Sequence, residues 1–510
     1  MSNQLLSDYS LLMEREKQAI ILDSARSMLD WDMETMMPPR GITLRSLQLA
    51  QVTQVLHRMA TDPEVGRLLK AVRESPEYDS LTPLQKRNVH LAKRRYDEAV
   101  CLPEELVVET ARQEAVTTDV WKKAKAAKDF SIFEPELEKL VELKRRAAEL
   151  LRDAKGVPTP YDALIDTFEP GITSAMIADL FSGLRQNLVS ILQRCLSSFQ
   201  PVDMTLLHRK VPIEIQRKIS TAVTDFLGYD VTTKTAGGRI DETEHPFTSG
   251  YYDDVRITTH YYEENFSSAV FSALHETGHA LYEQGLNLEW QYQPAGASCS
   301  LGIHESQSRF VENIIGRSPE FWTYFLPKLK ALSGPTFLDV NSADFVRAVN
   351  IVRPSKIRIE ADEVTYCLHV IIRFELEKEL IAGRLEVSDL PGVWNQKYSE
   401  YLGVEVENDS EGVMQDTHWA SGLIGYFPTY ALGNIYSGQI LATMEKTVPV
   451  WRSQVSRGDF KEVKHWLTEN VYRHGNLYDP RDLIWRISGE EVSIQPYIRY
   501  LEQKYRELYP

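Results

Sequence analysis

The segment Leu274-His275-Glu276-Thr277-Gly278-His279-Ala280 places two imidazoles four positions apart. On an α-helix that spacing puts both on one face, about one turn apart, within reach of a single tetrahedral ion. Glu276 follows the first imidazole and can reach a water on such an ion. The flanks suit a helix: Asn265 or Ser267 can cap its start, and Gly285 its end. Gly278 costs ~1 kcal/mol in a helix interior, which points to close approach by another backbone or by a bound molecule. The alternative is an accidental HExxH on a solvated helix face.

A catalytic zinc site usually takes three protein ligands and keeps one position for water. The third candidate is Glu305, in Ile303-His304-Glu305-Ser306-Gln307-Ser308-Arg309 on a second expected helix. His304 competes with it, but adjacent helical residues point about 100° apart, so one of the two would bind. Glu283, four residues beyond His279, reads as an outer residue. An ion so held would lower the pKa of a water and polarise a carbonyl. Glu276 would accept the proton of that water and pass it to a leaving amine. A cationic or hydrogen-bonding side chain would be needed at the oxyanion.

The chain has 510 residues, more than one hydrophobic core usually fills, so two packed halves are expected. With 43% hydrophobic and 25% charged residues it has the composition of a folded globular protein. The net charge of -16 and pI near 5.4 argue against nucleic acid or anionic membrane as partners. Basic runs such as Lys122-Lys123-Ala124-Lys125 are short and read as solvated helix faces. Cys101, Cys195, Cys299 and Cys367 form no CxxC pair, so buried free thiols are expected instead of disulfides or a thiolate site. The start, Met1-Ser2-Asn3-Gln4, lacks a basic region followed by an apolar core, and no apolar run reaches ~18 residues. A cytoplasmic location is the expectation.

Residues 1 to about 230 read as mostly helical. Leu5, Tyr9, Leu12, Ala19 and Ile20 recur at helical spacing over Asn3 to Arg26. Trp31-Asp32-Met33-Glu34-Thr35-Met36-Met37-Pro38-Pro39 is expected to break that rhythm and turn into another long helix. Pro103, Pro135 and Pro158 punctuate later helices, and Glu134 to Lys155 is rich in helix formers. From about 236 the composition shifts. Gly237-Gly238-Arg239, the alternating Val255-Arg256-Ile257-Thr258-Thr259 and four tyrosines predict two or three strands before helix resumes near 266. The expected fold class is mainly α, with a small sheet beside the metal segment.

Beyond HExxH, the chain carries His245-Pro246-Phe247, Asp254-Val255-Arg256-Ile257-Thr258, His304-Glu305-Ser306-Gln307, Ile357-Arg358-Ile359-Glu360-Ala361-Asp362, and Gly412-Val413-Met414-Gln415-Asp416-Thr417-His418-Trp419. The run from Gly425 to Asn434 and Trp31-Asp32 complete the set. In kind and order these motifs resemble the carboxypeptidase Taq family, family thirty-two of the metallopeptidases, over nearly the whole chain. Val311 departs from the pattern, which has an aromatic there. The resemblance implies His275, His279 and Glu305 as metal ligands and Glu276 as general base. It also implies Arg358 as the clamp for a substrate's terminal carboxylate, a role a guanidinium fork suits. A structural ion pair with Glu360, Asp362 or another acid is the alternative for Arg358. Arg256 is a second substrate candidate, with a salt bridge to Asp253 or Asp254 as its alternative. Gln415, His418 and Tyr430 can hydrogen-bond substrate or oxyanion, or be ordinary core. The His245 loop would help close the groove and limit how much peptide fits.

The fold so implied is one unit over 1–510, a large helical body with a deep active-site groove. Residues 1–230 would form one groove wall and 231–510 would carry the metal site. The implied activity is removal of C-terminal residues of several types from peptides with a free carboxylate, by a homodimer. Each chain would hold one divalent ion, Zn2+ or Co2+. Competing readings are an oligopeptidase or endopeptidase on the same site, and a non-catalytic metal or peptide binder. A binder has no need of Glu276, and an aminopeptidase would need acids where Arg358 stands.

Overall fold

Leu5, Tyr9, Leu12 and Ala19 are buried along one face of a single helix, Asn3–Thr35. The structure is a computed structural model describing residues 3–198 and 202–510, so Met1 and Ser2, quoted above, lie outside the described residues. The expected break at Trp31 does not occur; the helix runs on to Thr35 and turns only at residues 36–38. Two contacts explain this. The Trp31 ring is buried beneath the guanidinium groups of Arg239 and Arg256, 4.9 and 4.7 Å from its centroid. On the returning helix Ile42–Ala60, Arg45 donates to Asp32 at 2.6 Å and to the Leu29 carbonyl at 2.8 Å.

This hairpin packs on a small apolar cluster that includes Leu5, Leu12, Val65, Leu68, Val89 and Ala92. The main core is one contiguous cluster from Ala124 to Tyr509, crossing residue 230. The prolines act at helix starts. Pro103 precedes Glu104–Ala127, and Pro135 lies in the first turn of Glu134–Lys155. Cys195, Cys299 and Cys367 are buried free thiols and Cys101 is half-buried. Among the described residues no helix is long and apolar enough to cross a membrane.

The sheet has three strands, β1 (Gly238–Glu242), β2 (Thr248–Tyr251) and β3 (Asp254–Thr259). Their spatial order is β1-β3-β2. β1 lies parallel to β3 with Arg239 beside Arg256, and β2 antiparallel with Ser249 beside Arg256. Alternation in β3 turns Val255 and Ile257 into the core. β2 and β3 pack against the HExxH helix, Phe266–Gln284.

That helix begins after Asn265, whose side chain makes no cap bond; its carboxamide oxygen accepts from the Ser267 hydroxyl instead. Gly285 ends it in a right-handed conformation, with φ -89°. A side chain at Gly285 would meet the Tyr472 ring at 2.5 Å, so packing keeps the position small. Gly278 has a similar reason. A Cβ there would lie 2.6 Å from the Gln307 carbonyl oxygen and from the Ser308 Cα. These atoms belong to the next helix, Leu301–Arg309. On its other side that helix meets Pro428–Thr447, where a Cβ at Gly433 would stand 2.7 Å from the Glu305 Cγ. The Glu305 helix is thus held between two neighbours at backbone distance.

In an open helix, Gly278→Ala would stabilise by ~1 kcal/mol. Here the added methyl overpacks, and the metal-free protein is expected to lose about 1–3 kcal/mol. Thermal or denaturant unfolding in chelator checks this; a raised midpoint would show that the two helices can separate without cost.

Candidate metal centre

His275 and His279 project from one face of the HExxH helix, their ring centroids 4.9 Å apart. Glu305 meets them from its neighbouring helix. Its Oε2 lies 3.8 Å from His275 Nε2 and 3.6 Å from His279 Nε2. One ligand atom from each of the three residues falls within 4.8 Å of the others. Ligands about 2.0–2.2 Å from a tetrahedral ion stand roughly 3.3–3.6 Å apart, so this spacing accommodates one divalent ion with little closure. It is also too long for direct hydrogen bonds, so the three atoms face a common space.

Each of these side chains is held from outside. His275 Nδ1 lies 2.9 Å from Glu312 Oε2. His279 Nδ1 lies 2.5 Å from His304 Nδ1, and His304 Nε2 lies 2.9 Å from Glu283 Oε1. Both ring nitrogens of His304 are thus directed to His279 and Glu283, while the Glu305 carboxylate is the member of the pair that faces the two Nε2 atoms. Glu305 Oε1 accepts from Arg309 Nε at 2.6 Å, leaving Oε2 toward the imidazoles. Glu312 also receives Arg309 at 3.3 Å and Arg317 at 3.1 Å. It can do so because the chain widens into a π-helical turn, Phe310–Ile315, directly after Arg309. Val311, where the motif has an aromatic, is fully buried in that turn.

Burial opposes charge throughout the cluster. It would raise the Glu305 and Glu312 carboxyls, but Arg309 and the imidazoles outweigh it and hold both well below the usual range. Burial lowers His279 to about 3, which favours the neutral imidazole. At His275 burial works the same way, but Glu305, Glu312 and Glu276 outweigh it and the pKa is raised. Glu276 is 5% exposed and raised by burial. The Thr248 hydroxyl of β2 donates to its Oε2 at 2.7 Å, anchoring the carboxylate against the sheet.

The Arg358 guanidinium is 6% exposed. Its Nε and Nη2 donate to Asp416 Oδ1 at 3.0 and 2.8 Å, and Nη1 to the Tyr366 hydroxyl at 3.1 Å. The other Asp416 oxygen accepts from Arg373 at 2.6 Å. Burial would raise Asp416, but the two guanidinium groups hold it far below the usual carboxylate range. Gln415 accepts the Arg358 backbone N–H at 2.8 Å, and its amide nitrogen donates to Lys356 and Glu411 carbonyls and to Tyr398. Both polar atoms of its side chain are thus engaged, tying the Arg358 turn to Glu411 and Tyr398. His418 Nε2 lies 3.1 Å from the Tyr430 hydroxyl, and burial lowers His418 to about 4. Tyr430 packs 5.0 Å from the Arg358 guanidinium. Arg256 forms a two-bond pair with Asp254, at 2.7 and 2.8 Å, over the Trp31 ring. His245 is exposed in the bend between β1 and β2.

Thr248, Arg309, Glu312, Tyr366, Arg373 and Asp416 escaped the sequence reading. Of these, Arg309 and Asp416 stood inside quoted segments, Arg309 four residues beyond Glu305 and Asp416 between Gln415 and His418, without being assigned a role. A cleft of about 950 Å³ opens between the N-terminal hairpin and the β2–β3 turn, with Ala19, Met28, His57, Tyr251, Asp254 and Tyr292 on its walls. None of the cluster residues lines it.

Residues 11–505 match the model of the carboxypeptidase Taq (M32) metallopeptidase family. Thermostable carboxypeptidase 1 of Thermus thermophilus is 40% identical over 508 residues, covering 98% of this chain and 99% of that one. Carboxypeptidase 1 of Bacillus subtilis is 39% identical over 490 residues, 95% of each. An M32 carboxypeptidase from Deinococcus radiodurans superposes with a TM-score of 0.94 at 36% identity, over 99% of both chains. The chain belongs to the carboxypeptidase Taq family of metallopeptidases, and a divalent metal is part of that family's chemistry.

Proposed function

We propose that the protein hydrolyses the C-terminal peptide bond of peptides with a free carboxylate, with broad residue preference. His275, His279 and Glu305 hold the metal and Glu276 is the general base. The carrying observation is the convergence of two Nε2 atoms and one carboxylate oxygen at 3.6 and 3.8 Å, with Glu276 on the same helix. A divalent ion there, Zn2+ with Co2+ as a working substitute, supplies Lewis acidity toward a water and the scissile carbonyl.

The chain's own groups do the rest. Glu276, anchored by Thr248, accepts the proton of the attacking water at its carboxylate and delivers it to the leaving amine. Arg358 orients the substrate. A guanidinium has five N–H groups; three are engaged by Asp416 and Tyr366, which leaves two for a carboxylate. Asp416 balances one of the two guanidinium charges it touches, so the pair with Arg373 carries a net positive charge that a substrate carboxylate neutralises. The Tyr430 phenol, beside both His418 and Arg358, donates to the oxyanion. Gln415 acts through the Arg358 turn, and Arg256 through Trp31 and the hairpin. His245 and its loop limit peptide length. In this reading residues 1–230 wall the groove, while 231–510 carry the metal site. We attach a cytoplasmic homodimer to this reading; sedimentation velocity and cell fractionation test the two parts.

Chelated protein given Zn2+ or Co2+ is expected to shorten a peptide stepwise from its free C-terminus and to leave the C-terminally amidated peptide intact. Internal products, or equal cleavage of both peptides, would replace this reading with an endopeptidase. Glu276→Gln should retain stoichiometric metal by elemental analysis while turnover falls about 10²–10⁴-fold. Near-wild-type turnover would remove Glu276 as the base. Arg358→Ala should raise KM for free-acid peptides about 10–100-fold, the worth of a charged hydrogen bond, and erase the preference for acid over amide. An undiminished preference would place the carboxylate clamp elsewhere.

A further inference from the structure

A histidine can bind a metal only through a ring nitrogen that carries no proton, and a neutral imidazole has one such nitrogen. Something must therefore keep the proton of each ligand imidazole on Nδ1 so that Nε2 stays open. For His275 the device is direct, because its Nδ1 faces the Glu312 carboxylate at 2.9 Å and a carboxylate only accepts. His279 has no carboxylate at its Nδ1. It has another imidazole, the Nδ1 of His304, at 2.5 Å. Two ring nitrogens that close must share one proton, since two lone pairs repel and two N–H groups clash. The contact alone does not say whose proton it is.

The next link decides it. His304 Nε2 lies 2.9 Å from Glu283 Oε1. The carboxylate requires a proton on His304 Nε2. A neutral His304 then has a bare Nδ1, which accepts from His279 Nδ1. The His279 Nε2, 3.6 Å from Glu305 Oε2 on the opposite side of the ring, is left as a lone pair facing the ion space. We propose that Glu283 and His304 form a two-link relay of positioning residues that sets the tautomer of His279 for metal binding. This rests on the reading of His275, His279 and Glu305 as ligands.

The relay is built into the elements that carry the ligands. Glu283 lies one turn beyond His279 on the same helix, and His304 directly precedes Glu305. Both side chains are largely shielded, 15% and 16% exposed, so water competes little for their hydrogen bonds. The Tyr282 ring packs 5.2 Å from His304, and its hydroxyl accepts from the Cys299 backbone N–H at 3.0 Å, which fixes the wall behind the relay. Without the acceptor at Glu283, His304 is free to move its proton to Nδ1 and donate to His279. That places the His279 proton on Nε2 and removes a ligand lone pair.

The test compares Glu283→Leu with Glu283→Gln, whose amide oxygen accepts the same proton without a charge. Zn2+ affinity is read by chelator competition, and the ligand field by the visible spectrum of the Co2+-substituted protein. Glu283→Leu should bind Zn2+ about 10–100-fold more weakly with an altered Co2+ spectrum, whereas Glu283→Gln stays within about threefold of the parent. Parent-like affinity and spectrum in Glu283→Leu would overturn the relay. So would an equal loss in Glu283→Gln, which would make the charge and not the acceptor the working feature. Should Glu283→Leu fail to fold, His304→Gln against His304→Leu makes the same comparison, because the Gln oxygen can accept from His279 and Leu cannot. His279→Ala serves as the control: retention of Zn2+ by that variant would remove the ligand reading itself, an outcome separate from failure of the relay.

Discussion

Two glycines let three helices approach at backbone distance, and the His275–His279–Glu305 cluster depends on that approach. Gly278 admits the Gln307–Ser308 backbone to the face of the HExxH helix, and Gly433 admits Glu305 to the Pro428–Thr447 helix. Close packing leaves no slack at either contact, so the Glu305 helix has one position between its neighbours. From that position the Glu305 carboxylate reaches both imidazoles, His304 reaches His279, and the π-helical turn beyond Arg309 carries Glu312 back to His275. A cheaper helix residue at Gly278 would add stability to one helix and push the neighbour away from it.

Buried charge is the second constraint, and it is met by alternation. Glu305, Arg309, Glu312 and Arg317 form a chain in which each carboxylate touches a guanidinium. Asp416 likewise stands between Arg358 and Arg373. Removing one member of such a set strands a charge away from water, at a cost of about 3–5 kcal/mol, while the intact set adds little net stability. What the sets do provide is placement. Glu305 turns one oxygen to Arg309 and the other to the imidazoles, and Arg358 keeps two N–H groups after meeting Asp416 and Tyr366.

The N-terminal hairpin is coupled to the same centre through the sheet. Trp31 packs under Arg256 of β3 and Arg239 of β1, and the Thr243 hydroxyl donates to the Glu34 carbonyl at 3.1 Å. The neighbouring strand β2 supplies Thr248 to Glu276. A displacement of the hairpin tip would therefore be felt at the sheet edge that anchors Glu276. The returning helix Ile42–Ala60 has no fully buried residue and is held chiefly by its packing along Asn3–Thr35.

The helical character, a small strand region and the placement of His275 and His279 on one helix face were legible in the sequence, because each is a local property. Periodicity of 3.6 put His275 and His279 on one face, and alternation marked Val255 and Ile257 as inward. Motif order tied Glu305, Arg358 and the run from Gln415 to His418 to one family before any geometry was known. The break expected at Trp31 failed because prolines at 38 and 39 mark where a turn must come, not where the preceding helix stops; a cation over the indole extended it. The partners of the site residues left no signal. Thr248 finds Glu276 across 28 positions and Arg358 finds Asp416 across 58. Such pairings have no period and follow only from which helices touch. By itself, then, the sequence determined which imidazoles share a helix face and which charges this protein has, since spacing along one helix is fixed by its pitch. Only the tertiary structure decided which nitrogen of each imidazole faces the ion space, and how much of Arg358 is left for a substrate, since both are set by neighbours that close packing brings from distant parts of the chain.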